Sequence, residues 1–78
     1  MLVSDLIPGE LYSFRDEIAF IDYSQNLILF IFLSSELSNK PYSRHFMHHR
    51  FFNVQNNRIE IFVRFPDETL IYGLSKVQ

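Results

Sequence analysis

Cysteine is absent from the 78 residues, and with it every disulfide staple and every thiolate metal site. Tryptophan is absent too, and glycine occurs only twice, at Gly9 and Gly73, so there is no glycine-rich phosphate loop. No Gly-x-Ser-x-Gly elbow and no His-Glu-x-x-His pair occurs, which removes the commonest local signatures of hydrolases and zinc peptidases. The longest apolar run, Leu27 to Leu33, has seven residues. A membrane-spanning helix needs about 20. Met1-Leu2-Val3-Ser4-Asp5-Leu6 has no positive n-region and no small-residue cleavage site, so no secretory signal is expected. These absences point to a soluble, cytoplasmic protein with no membrane partner and no cofactor.

What the chain has in quantity is phenylalanine. Nine Phe and four Tyr sit in a composition that is 47% hydrophobic, enough to fold rather than remain disordered. Residues 1–78 form a single expected domain, small enough that its stability should be marginal and that self-association would help it. The net charge of −2 conceals a polarised chain. Residues 1–39 carry six acids against Arg15, whereas residues 40–64 carry Lys40, Arg44, Arg50, Arg58 and Arg64 against Glu60. All three histidines, His45, His48 and His49, lie in the basic part. Either acidic and basic strands become sheet neighbours, or the surface is bipolar and attracts an anionic partner or another copy.

The local pattern is β. Leu6-Ile7-Pro8-Gly9 reads as a turn into a strand from Glu10 or Leu11, and Ser24-Gln25-Asn26 as a second turn. Leu27 to Leu33 is apolar on both faces, as a central strand requires. Ser34 to Ser43 reads as a long loop. Arg58 to Phe65 alternates: Ile59, Ile61, Val63 and Phe65 share one face, and Arg58, Glu60, Phe62 and Arg64 the other. Asn56-Asn57 suits a two-residue hairpin loop. Counting outward from it sets Val54 opposite Ile59 and Phe52 opposite Ile61 on the aliphatic face. On the other face Asn53 meets Glu60, Phe51 meets Phe62 and His49 meets Arg64. Pro66-Asp67 makes a type I turn, and Thr69 to Leu74 a last strand weakened at Gly73.

Five or six short strands in this length describe a small antiparallel barrel or sandwich, the size class of SH3-like and Sm-like barrels. Leu6-Ile7-Pro8-Gly9-Glu10-Leu11 resembles the Pro-Gly-acid start of SH3-like first strands. An α+β fold with one short helix within 34–50 is the second architecture, since Tyr42, Phe46, His49 and Phe52 fall near helical spacing.

The histidine cluster holds a metal only on a helix; on a strand His48 points away from His45 and His49, and Arg44 and Arg50 repel a cation, so no metal is expected. Asp16-Glu17 and Asp67-Glu68 are adjacent pairs that a strand would split between its faces. The chain therefore reads as non-catalytic. The candidate binding residues are Phe51 and Phe62, set outward by the counted register, with His49, Arg64, Arg44 and Arg50 around them. Exposed aromatics inside a polar ring fit a protein interface, and a homodimer or higher homo-oligomer is one such partner. Aromatics interleaved with arginines also fit a small barrel that stacks single-stranded nucleic acid, against which the acidic pI of 5.8 counts. A third possibility makes Phe51 and Phe62 core. A short chain of this kind suits an accessory or inhibitory protein, such as phages carry.

Overall fold

β-branched and aromatic residues dominate each segment that extends, because side chains of that shape fill a pleated surface well. In a computed structural model describing residues 1–15, 27–38 and 45–77, they build five strands. These are β1 (Leu11–Phe14), β2 (Ile28–Leu37), β3 (Met47–Asn53), β4 (Arg58–Arg64) and β5 (Leu74–Lys76). All pair antiparallel in one sheet of order β4-β3-β2-β1-β5. Among the described residues the sheet is not closed, and β4 and β5 are its edges. The mostly-β reading therefore holds, with five antiparallel strands in one sheet that the described residues do not close into a barrel. Among the described residues the only helical turn is a 3-10 turn at Val3–Asp5. The short helix considered within 34–50 is replaced by strand at 34–37 and at 47–50, and residues 39–44 lie outside the described residues. So do the turn expected at Ser24-Gln25-Asn26 and the pair Asp16-Glu17.

One face of the sheet carries the core. Tyr12, Phe30, Phe32, Phe51 and Leu74 are buried there, and Leu6 and Ile71 close over them. Phe14 packs on Phe30 and Phe62, while Phe30, Phe32, Phe51 and Phe62 join in a continuous set of ring contacts with centroids 5.2–6.0 Å apart. Offset and edge-on rings at such distances each add about 0.5–1.5 kcal/mol beyond the area they bury.

The cover over this core is made by the two chain ends. Leu2 bridges Leu70 antiparallel, the Val3 N–H donates to Thr69 C=O, and the Met1 amino group donates to Ile71 C=O at 2.9 Å. The Tyr12 hydroxyl, buried with its ring, accepts the Ile7 N–H at 2.9 Å, so the phenol is not left unpaired. The expected turn at Pro8-Gly9 delivers the chain into β1, with Gly9 at φ +85°. The Pro66-Asp67 turn is present and closed by Glu68 N–H to Phe65 C=O. The last strand starts later than its sequence suggests. Gly73, at φ +79°, turns the backbone, and only Leu74–Lys76 pair with β1.

Two departures from the sequence reading shape the sheet. β2 does not stop at Leu33 but runs on through Ser34-Ser35-Glu36-Leu37, where serines suggested a loop. A bulge at Leu33 makes this possible: Phe32 pairs with Phe51, and Ser34, not Leu33, pairs with Arg50. The extra residue changes the parity of the strand, which puts Ser35 on the same side as Phe32 and opposite His49. The β3–β4 hairpin has a four-residue loop, Val54 to Asn57, rather than two, so Asn53 pairs with Arg58 and Phe51 with Glu60. Asn53 explains the longer loop. Its side-chain oxygen accepts the N–H groups of Gln55 (3.0 Å) and Asn56 (3.3 Å), and Asn57 alone takes the left-handed conformation, at φ 59°.

Candidate protein-interaction site

The register shift of two residues leaves each β4 side chain on the face that alternation assigned to it, but the faces themselves are inverted relative to expectation. Phe51 is wholly buried and Phe62 packs against the core, whereas Ile59, Ile61, Val63 and Phe65 are 61, 47, 46 and 43% exposed. The outward placement of Phe51 and Phe62 is thus corrected. The aromatic side is the core because the three inner strands add Tyr12, Phe30, Phe32 and Phe51 to it, and Leu6 and Ile71 cover it. The charged residues that share this face, Glu60 and Arg64, sit at the sheet edge, where long side chains reach water around the rim.

The other candidate residues divide by position. His49 is 1% exposed, its Nδ1 2.7 Å from the Ser35 hydroxyl that the bulge delivers, and its Nε2 is buried without a partner among the described residues. Burial, then the charge of Arg64 and that of His48, push the His49 ring below its ordinary pKa, so it stands neutral in the fold. Arg50 lies on the opposite, outer face, with a guanidinium nitrogen 3.5 Å from Glu36. Arg64 lies 5.6 Å above the Phe62 ring centroid and makes a 3.8 Å contact with Glu68. Arg44 lies outside the described residues. His48 and His49 face opposite ways on β3, and among the described residues no three metal-ligating side chains converge. Burial of Phe51 also takes one ring away from the arrangement that base stacking would need.

What the structure presents instead is a row of β-branched and aromatic side chains along an unpaired strand. Among the described residues no strand pairs with the outer edge of β4. On the outer face, Ile59 neighbours half-buried Phe52, which neighbours half-buried Ile31, so an apolar band crosses from β4 to β2. Val63 lies opposite His48, and the outward-facing Phe65 has the Phe46 ring 5.3 Å away. Arg50, Glu36 and His48 flank the band, giving an apolar centre with a polar border. The alternation in Arg58–Phe65 signals this row in the sequence; which way it faces is set by the assembled sheet.

Two cavities open elsewhere on the surface. One of about 200 Å³ is lined by Glu68, Thr69, Leu70 and Tyr72, and one of about 310 Å³ by Ser13, Arg15, Leu27, Gly73 and Ser75. The first contains no histidine, lysine or cysteine, and the second has Arg15 as its one charged group. No helix among the described residues is long and apolar enough to cross a membrane. Compared with protein-family models, with curated proteins and with solved structures, the chain matches none.

Proposed function

We propose that this chain is a non-catalytic binding protein that acts by protein–protein contact through β4 and the outer face beside it. One observation carries the reading: Ile59, Ile61, Val63 and Phe65 stand exposed in a single row along a sheet edge. Single exposed aliphatics are ordinary, but a contiguous row of four on an open edge is a surface that favours cover. Edge strands of soluble proteins discourage pairing with charged side chains, a proline or a bulge. Arg58–Arg64 has no proline and no bulge, and its charges, Arg58, Glu60 and Arg64, lie off the exposed aliphatic row.

A photoreactive residue placed at Ile61, in the cells that make the protein, tests this. A discrete protein adduct should form there and weaken when Ile59 is replaced by lysine. The same residue placed at exposed Ser4, on the covered side of the sheet, is the control. No more adduct at 61 than at 4 would sink the reading.

A further inference from the structure

Resting on that reading of β4, we infer that its occupant is a second copy of this chain. The two β4 strands pair antiparallel about a two-fold axis that passes between Phe62 and its counterpart. The sequence of the strand is self-complementary in this register. Read against its own reverse, Ile59-Glu60-Ile61-Phe62-Val63-Arg64-Phe65 sets Glu60 opposite Arg64 of the other copy, and Arg64 opposite its Glu60. Phe62 meets Phe62, Ile61 meets Val63 and Ile59 meets Phe65. From Ile59 to Phe65 every opposed pair is either apolar with apolar or acid with base, with Arg58 opposite Pro66 just outside this stretch, and a two-fold repeats each contact, as an isologous interface requires.

The two registers one step away are both less favourable. Centring the axis on Ile61 puts Arg58 opposite Arg64 twice and leaves Glu60 against Phe62, and like charges directly opposed on adjacent strands repel. Centring it on Val63 opposes Glu60 to Pro66 and Arg64 to Phe62, so neither of these charges has a charged partner. Of the three, the Phe62-centred register alone pairs Glu60 with Arg64.

The structure favours the Phe62-centred register on both faces. On the outer side the pairing gives Ile59, Ile61, Val63 and Phe65 apolar neighbours for their exposed surfaces. On the core side Phe62 is the outermost member of the ring cluster, in contact with Phe14, Phe30 and Phe51. Its meeting with a second Phe62 joins two cores through one aromatic pair. To reach the other copy, Arg64 exchanges its present contacts, a 3.8 Å surface pair with Glu68 of the kind that contributes little, a 2.9 Å hydrogen bond to the Val63 carbonyl and its place over the Phe62 ring, for the carboxylate of the opposite Glu60. Pairing the two β4 edges also consumes them, so this contact closes at a dimer and does not propagate.

The test uses the full chain in solution. Sedimentation of the wild type should show a dimer that dissociates on dilution. Glu60→Arg and Arg64→Glu should each weaken it by about tenfold or more, since both pairs become repulsive. Mixing the two variants should restore it, because the arginine introduced into one chain then faces the glutamate introduced into the other; a misfolded variant would not be rescued so. The absence of cysteine supplies a second measurement that leaves the charges alone. Mixed Ile61→Cys and Val63→Cys chains should form the crossed disulfide faster than either chain forms a disulfide with itself. A wild type that is monomeric up to several hundred micromolar overturns the dimer, as does a mass that climbs without limit, or faster 61-to-61 cross-linking than 61-to-63. A monomer that still gives a specific adduct with a different protein at position 61 overturns the dimer alone; no adduct at 61 overturns the reading beneath it.

Discussion

Replacing Phe51 and Ile61 by alanine, one at a time, decides which face of the β3–β4 hairpin is the core. Phe51 has no exposed surface and its ring lies 5.3 Å from Phe30, 5.3 Å from Phe32 and 5.2 Å from Phe62. Truncation removes three ring contacts and leaves a cavity bounded by rigid neighbours, so a loss of about 3–5 kcal/mol is expected. Ile61 is 47% exposed on an edge strand. Deleting its outer carbons forfeits only their half-buried area, about 1 kcal/mol. A domain of this length has about 4–12 kcal/mol in total, so Phe51→Ala takes a large share and Ile61→Ala a small one. With an m-value of about 1 kcal/mol/M in urea, the Phe51→Ala midpoint should fall by about 3 M or more, and that of Ile61→Ala by about 1 M. Urea unfolding followed by far-ultraviolet circular dichroism at two protein concentrations makes the comparison. The Ile61→Ala loss should change with concentration, as it belongs to a surface that another chain covers, and the Phe51→Ala loss should not. Equal losses, or a larger one at Ile61, would refute the assignment of the core to the aromatic face.

Two further outcomes follow from the backbone and from His49. At Gly73 a Cβ would lie 2.2 Å from the Arg15 carbonyl oxygen, whose own N–H donates to Gly73 C=O, so Gly73→Ala should cost more than about 2 kcal/mol. Gly9→Ala, with a similar φ and no atom within 4 Å, should cost only about 1 kcal/mol; equal thermal shifts for the two would show that the clash is unimportant. His49 is held below its ordinary pKa of about 6.5, so between that value and the lower folded one the unfolded chain binds the extra proton. Its contribution is intact above about pH 6.5 and declines as the pH falls through that window. Urea midpoints at pH 7.5, 6 and 5 should drop for the wild type more than for His49→Asn, and parallel profiles would contradict the linkage.

The strand content was legible because Leu27–Leu33 and Arg58–Phe65 carry their own periodicity, and the turns at Pro8-Gly9 and Pro66-Asp67 because those residues fix backbone angles locally. Membership of faces was legible for the same reason, since Ile59 and Ile61 share a side whatever the loop length. Which side turns inward was not, because that depends on the summed apolar volume of four strands and on β4 lying at an edge, both properties of the assembled sheet. The strand through Ser34–Leu37 was hidden because a bulge at Leu33 resets the alternation, and a serine run is indistinguishable locally from a loop. His49 was expected among exposed binding residues. Its burial depends on Ser35, fourteen positions earlier, arriving opposite it across that bulge.

The meeting of residues 1–3 with 69–71 sets an order on synthesis. β3 and β4 can pair as soon as Arg64 is free of the ribosome, and β2 can join them, but β5 pairs with β1, and Thr69 and Ile71 hold Met1 and Val3. Ile71 and Leu74 follow every other core residue in chain order. The growing chain therefore carries a sheet whose phenylalanine face stays uncovered until those two have emerged, and the contacts that complete the fold join residues some seventy positions apart. For this interval the nascent chain exposes apolar surface of the kind that promotes aggregation.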